Sequence, residues 1–364
     1  MFICVTFILL LPIIILHFHN SNFRNAFSQE ETKKVDICQF KHVKKFGPQG
    51  ELIAAWGKRG IGDGEILHGH SIDIDSNGNV YVSDDDRKLI QKFDNSGKFI
   101  TEWGSEGNGQ GQFKSLEGEI AIGSQDIVYV VDFGNGRVEE FDEQGNFIKT
   151  WGTKGKNIGE LNRPWGIEFD DNGHIFVTEH NIARIQQFDK DGNFIRVWWD
   201  DDKDSNGTKF THLHDIAIDR QGSVYIELDT LFKKLDREGK LISEWGSKGD
   251  EPGQFNDPHG MDFDSKGNIY IADTANHRIQ KFSPDGKYIT SLGGEMGIND
   301  DQFIMPFDVA VDSSDNVYVV DNGFAHNIAN DVSVSYVKNF LEDNPPPETC
   351  KLDQEPRKRN QEKQ

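Results

Sequence analysis

Residues 259–282 read HGMDFDSKGNIYIADTANHRIQKF, and residues 70–93 read HSIDIDSNGNVYVSDDDRKLIQKF. The two stretches lie far apart in the chain, yet they align without a gap. The same text returns as GEIAIGSQDIVYVVDFGNGRVEEF (118–141) and WGIEFDDNGHIFVTEHNIARIQQF (165–188). A shortened copy, HDIAIDRQGSVYIELDTLFKKL, occupies 214–235, and a sixth begins at Phe307 with FDVAVDSSDNVYVVDNG. A Trp-Gly pair or its stand-in marks each unit, at Trp56, Trp103, Trp151, Trp198, Trp245 and Leu292. The intervals are 47, 48, 47, 47 and 47 residues. A fixed period of this length identifies a repeat architecture, in which one supersecondary unit is copied and stacked.

Within a unit, Ile72 and Ile74 alternate with polar residues, as in a half-buried strand. A Ser-Asn-Gly turn leads to Val80-Tyr81-Val82, and a loop then leads to Ile90-Gln91-Lys92-Phe93. A second turn, Asn95-Ser96-Gly97, precedes a strand from Phe99 to Trp103. A single four-stranded antiparallel sheet cannot cover both of its faces. Six of them around an axis can, so the pattern predicts an all-β fold: a six-bladed β-propeller of four-stranded antiparallel blades. The stretch GQFNDPHGMDFDSKGNIYIADTANHRIQKF (253–282) resembles an NHL repeat, and the resemblance extends over about residues 40–325. The Gly-His and Trp-Asp marks of WD40 blades are missing. Residues 42–56, HVKKFGPQGELIAAW, read like the second half of a blade, beside RIQKFSPDGKYITSL at 278–292. Blade 6 supplies only its first two strands, so an N-terminal strand pair is expected to complete it and hide two edges.

The 364 residues carry 39 Lys and Arg against 61 Asp and Glu, a formal net charge of −22. Such a chain repels phosphate backbones, which excludes nucleic acid and leaves cations or basic partners. Residues 2–16, FICVTFILLLPIIIL, are uninterrupted apolar text. The run is short for a membrane span of about 20 residues and long enough for a secretory signal. Ala26-Phe27-Ser28 supplies small residues at a cleavage site. The organisation expected is a signal peptide (1–28, with a retained membrane anchor as the alternative), a linker (29–41), the propeller (42–325), a short helical or irregular extension (326–343) and a disordered charged tail (344–364). The mature chain is then an extracellular or cell-surface monomer. Cleavage removes Cys4 and leaves Cys38 and Cys350 flanking the seam; a disulfide between them is one reading and two unpaired thiols the other. Asn206-Gly207-Thr208 is a formal glycosylation sequon.

The candidate site follows from register. Counting back from the second-strand aromatics (Tyr81, Tyr129, Phe176, Tyr225, Tyr270, Tyr318), one position opens every innermost strand: His70, Gly118, Trp165, His214, His259 and Phe307. Two residues earlier stand His68, Leu116, Arg163, His212, Asp257 and Met305. Innermost strands line a propeller's channel, so these side chains should gather near one mouth. Imidazole and carboxylate ligate transition metals, and a subset of His70, His214, His259, His68, His212 and Asp257 is expected to hold a divalent ion, zinc first. Arg163, Trp165, Phe307 and Asp215 are the candidate ligand-contacting residues. A wet channel lined by hydrogen-bonded imidazoles is the competing reading. Asp73, Asp75, Asp262 and Asp264 recur with the repeat and read as strand and turn residues. Asp202-Lys203-Asp204-Ser205-Asn206-Gly207 resembles the first half of a calcium loop, with a solvated acidic loop as the alternative.

The lyases that finish peptide C-terminal amidation are similar six-bladed NHL propellers. That resemblance implies zinc held by histidines at this strand position, in Pro-His-Gly and Pro-His-Asp settings. Pro258-His259-Gly260 and His214-Asp215 match, and His70 matches in part. Here the histidines come from blades 1, 4 and 5 rather than alternate blades, and the mouth loops (DDDRK, FGNGR, HNIAR, DTL, TANHR, NGFAHN) contain no Tyr. Arg137, Arg184 and Arg278 occupy an ordinary repeat position and read as blade-stabilising. No Gly-rich phosphate loop or Gly-x-Ser-x-Gly elbow is present. Two functions stay open: a module binding a protein or small molecule across its channel face, and a metal-dependent lyase.

Overall fold

In the computed structural model, residues 39–200 and 212–323 are described. The apolar N-terminal run, Cys38, Cys350, the Asp202–Gly207 loop with its sequon, and segments 326–343 and 344–364 lie outside them. Among the described residues no helix is long and apolar enough to cross a membrane.

Each repeat folds as four antiparallel strands, and six such sheets stand in a ring. Blade 1 holds β3 (Gly69–Ile74), β4 (Val80–Asp84), β5 (Leu89–Phe93) and β6 (Phe99–Trp103); blade 2 holds β7 (Ile120–Ile122), β8 (Val128–Asp132), β9 (Arg137–Phe141) and β10 (Phe147–Trp151). Blade 3 holds β11 (Pro164–Phe169), β12 (Ile175–Glu179), β13 (Arg184–Phe188) and β14 (Phe194–Asp200). Blade 4 holds β15 (Leu213–Ile218), β16 (Val224–Leu228), β17 (Leu231–Leu235) and β18 (Leu241–Trp245). Blade 5 holds β19 (Pro258–Phe263), β20 (Ile269–Asp273), β21 (Arg278–Phe282) and β22 (Tyr288–Gly293). The sixth sheet joins the first described strands to the last: β1 (Lys41–Phe46) and β2 (Leu52–Lys58) lie beside β23 (Pro306–Val311) and β24 (Val317–Asp321) in the order β2-β1-β24-β23, with Val43 opposite Val320 and Phe46 opposite Val317.

Burial peaks at the second strand, since the innermost strands β3, β11 and β19 end in half-buried residues. The second strand of every blade (β4, β8, β12, β16, β20, β24) is buried at each residue, because it has a strand on both sides and a blade on both faces. The outer strands β6 and β10 are only partly covered. Apolar layers between neighbouring blades hold the ring: Val43, Tyr318 and Val320 of blade 6 pack with Ile72, Val80, Val82 and Phe93 of blade 1.

The recurring Trp has a specific seat. Trp56 lies against Gly97 in the next blade's turn, where a Cβ would sit 2.5 Å from its ring and where φ is +84°. Trp103 lies likewise on Gly145, and Trp245 on Gly286. Asp75 has the turn role expected of it. Its Oδ1 accepts from the N–H groups of Asn77 (3.0 Å) and Asn79 (2.8 Å), and its Oδ2 from Tyr81 OH (3.0 Å). Asp264 caps its turn in the same way through Lys266 and Asn268. Arg137, Arg184 and Arg278 brace their blades: Arg278 Nε donates to Asp273 at 2.7 Å, and its Nη2 donates to the carbonyls of Glu251 and Gln254 in the crossover loop.

Candidate functional site

The six residues that open the innermost strands meet at one end of the channel. Ring centroids run from His70 to Phe307 (4.3 Å), Phe307 to His259 (3.8 Å), His259 to His214 (4.7 Å), His214 to Trp165 (4.9 Å) and Trp165 back to His70 (5.5 Å). Gly118 is the one position without a ring. Trp165 also reaches across to His259, at 6.1 Å. The five rings therefore form a closed plate, and His214 lies nearly parallel to His259, at 17°. His70, Trp165, His214 and His259 are all buried.

A second tier covers this plate. His180 stacks on Trp165 (4.9 Å, 22°) and on His214 (4.8 Å), and His212 lies 4.7 Å from His180. The register that counted innermost strands missed His180. It belongs to another series, the residue after the second strand: Asp85, Phe133, His180, Asp229, Thr274 and Asn322. Arg163 stands over Phe133 at 5.4 Å, with a left-handed backbone (φ 53°) that Asp257 shares (φ 55°). His212 and Arg163 are exposed, and Asp257 is half-buried.

Hydrogen bonding fixes the imidazoles. His214 Nδ1 lies 2.9 Å from the buried Glu227 carboxylate, and His259 Nδ1 lies 3.1 Å from Thr274 Oγ1. Burial pushes His214 down to about 4 and holds His70 well below the usual imidazole range. Both are neutral at pH 7. His212, hydrogen-bonded to Asp229 at 3.0 Å, is shifted up. Among the described residues, the His, Cys, Asp and Glu ligand atoms that lie within 4.8 Å of one another in a group of three are those of His68, Asp85 and Asp86. Of the six metal candidates only His68 is in that group, which draws in Asp85 and Asp86 from the β4–β5 loop. His214 and His259 stack face to face, and His70 packs instead on Trp165 and Phe307.

Beneath the plate lies a cavity of about 770 Å³, reaching the turn residues Asp170–Gly173 at its far end. Eight carboxylates line it: Asp170 and Asp171 in the turn, and six on the innermost strands, namely Asp73, Glu119, Glu168, Asp215, Asp262 and Asp308. These six alternate. Blades 2, 4 and 6 place Glu119, Asp215 and Asp308 one residue beyond the plate position, and blades 1, 3 and 5 place Asp73, Glu168 and Asp262 three beyond it. Five of them accept a backbone N–H from the next blade. Asp308 takes Ile72 (2.9 Å), Asp73 takes Ile122 (2.6 Å), Glu119 takes Ile167 (3.1 Å), Asp262 takes Val311 (2.6 Å), and Asp215 takes Met261. These are clasps between blades, each made with an acid. Burial, reinforced by neighbouring carboxylates, pushes Asp73, Asp262 and Asp308 up to about 7 and Glu119 and Glu168 well above the ordinary range. Glu119 and Asp215 share a hydrogen bond, so one of that pair carries a proton. Asp73 and Asp262, read from sequence as strand and turn residues, are strand residues that face the channel.

Fold and site together define a six-bladed β-propeller whose channel is plated at one mouth and acid-lined below. Residues 161–188 and 255–282 match the sequence model of the NHL repeat, so the propeller carries NHL repeats. A probable peptidyl-alpha-hydroxyglycine alpha-amidating lyase of Caenorhabditis elegans is 34% identical over 90 residues, which cover 24% of this chain and 24% of that protein. The human NHL repeat-containing protein 3 is 30% identical over 92 residues, covering 22% of this chain and 26% of that protein. The matches thus span about a quarter of the length of these relatives. Among solved structures, a protein of unknown function from Bacteroides thetaiotaomicron has a TM-score of 0.58 at 13% identity, over 77% of this chain and 73% of that one. A streptogramin B lyase has a TM-score of 0.52 at 13% identity, over 79% and 97%. These likenesses concern the fold alone.

Proposed function

We propose that the protein is a secreted binding module that receives a basic peptide or protein segment on its plated mouth. The observation that carries this reading is the closed plate. Five packed rings make the mouth a surface for docking instead of an opening that admits a substrate. Acid surrounds it: Asp86, Asp229 and Asp257 stand about the mouth, with Arg163 as an orienting cation. The chain's net charge of −22 steers cationic partners toward it. The aromatic tier offers stacking and cation–π contacts to an arriving Arg or Lys.

The test is a titration of a fluorescently labelled lysine- and arginine-rich peptide into the full chain at two ionic strengths. Binding is expected to weaken as salt rises, and the Asp229→Asn, Asp257→Asn pair is expected to weaken it about tenfold at low salt. Equal binding of an acidic peptide, or no effect of that pair, contradicts the reading. A metal-dependent lyase is the second reading, favoured by the likeness to the worm protein and by the adjacent His214 and His259. It requires turnover of a peptidyl-alpha-hydroxyglycine substrate that a chelator abolishes.

A further inference from the structure

We propose that His68, Asp85 and Asp86 form a binding site for one divalent transition-metal ion, zinc by preference, at the seam between blades 1 and 6. The three side chains bring their ligand atoms within 4.8 Å of one another. His68 Nδ1 and Asp86 Oδ1 are 3.5 Å apart. That is too long for a good hydrogen bond. It matches two donors on one tetrahedral ion, which with bonds of about 2.0–2.2 Å lie roughly 3.3–3.6 Å from each other. One imidazole with two carboxylates suits zinc or manganese better than calcium, which takes more oxygens.

The backbone sets the arrangement in advance. Asp85 N–H donates to His68 O at 3.0 Å, and His68 N–H donates to Asp84 Oδ1 at 3.2 Å, so the strand entrance and the β4–β5 loop are tied together. Asn322, from the end of blade 6, holds the imidazole from its other side. Its amide lies 2.7 Å from His68 Nε2, while its buried Oδ1 has no hydrogen-bond partner among the described residues. The two ends of an amide are exchangeable without moving heavy atoms. Turned over, Oδ1 accepts the His68 Nε2–H, and Nδ2 takes the unpartnered position in its place. The imidazole is then held with the Nδ1 lone pair toward Asp86, and this outer contact is the kind that orients a ligating histidine. A cation between that lone pair and the carboxylate oxygen satisfies both, beside the charge that the Arg59 guanidinium already exerts on Asp86. Lys88 stands nearby, with Nζ 2.5 Å from Asp85 Oδ1, where Leu116 N–H also donates at 2.6 Å. Lys88 neutralises Asp85 when the ion is away and competes with the ion for it. The site shares no residue with the plate of His70, His214 and His259.

The test is zinc titration of the chelator-stripped full chain, with metal content measured after dialysis. One zinc per chain is expected. Asp86→Asn and His68→Gln should each bind at least tenfold more weakly, and Lys88→Met severalfold more tightly. The thermal transition in chelator checks that each variant is folded; if His68→Gln is not, Asp86→Asn on the loop decides. Absence of stoichiometric zinc, retention of it in Asp86→Asn, or its loss in a His214→Ala, His259→Ala pair with Asp86 intact overturns the proposal.

Discussion

Asp262 makes its interblade bond to Val311 as a buried acid beside the channel, with Asp308 and Asp215 adding their charge to its surroundings. Its folded-state value, about 7, lies above its ordinary 3.8, so the native protein holds this proton more tightly than the unfolded chain does. The stability it contributes is complete below about pH 3.8 and is lost as pH rises to about 7. Blades 2, 4 and 6 carry Ala121, Ala217 and Ala310 at the same register, which makes Asp262→Ala a conservative probe. The substitution should destabilise the protein more at pH 5 than at pH 8, by a difference on the order of 2 kcal/mol. Urea unfolding at the two pH values checks this; a pH-independent cost would be contrary evidence. His214 works in the opposite direction, since its value of about 4 withdraws stability as pH falls below 6.5, and the substitution comparison separates the two. The sequence revealed Asp75 and Asp264 as turn residues because each precedes a Gly turn. Of the six strand acids in the channel, it singled out Asp215 alone as a candidate contact. Their alternation between odd and even blades has meaning only once six strands converge, and a register count confined to the mouth passed over the other five.

At the scale of the strand and turn, the Trp–Gly contact is the most repetitive feature and the most legible one. The Trp marks spaced the blades correctly because each indole caps its own outer strand and then lies on the following blade's turn. Gly97 meets two demands there: the left-handed backbone of the Asn-Ser-Gly turn, and room for Trp56. Gly97→Val violates both, and should cost about 2–4 kcal/mol through strain and displaced packing. Calorimetry should show a lower transition for this variant. An unchanged transition would mean that Trp56 is not confined as described. His180 was illegible for the converse reason. It leaves the end of β12 in a short turn, at a repeat position that the count along the innermost strands does not include, and the stacking of blades 3 and 4 brings it over Trp165.

For the whole molecule, six sheets bury one another's faces, and β1 and β2 lie in one sheet with β23 and β24, so β24 is paired on both sides instead of ending the sheet. Such a disc gives a rigid platform with two unlike faces. One carries the plate of rings and its acidic surround, and the other carries the Gly turns around the acid-lined cavity. The repeat text made the disc readable because every blade restates it. The mouth was readable only in part, because its chemistry resides in the positions where the blades differ. The proposed binding role places the partner on the plated face. The most direct test is a hydrogen-exchange footprint of the full chain with the basic peptide bound at low salt. The account predicts slowed exchange at the strand entrances and loops around Arg163, His212, Asp229 and Asp257, with the Asp170–Gly173 turn unchanged. Protection confined to that turn or to the outer strands, with the mouth unaffected, would contradict it.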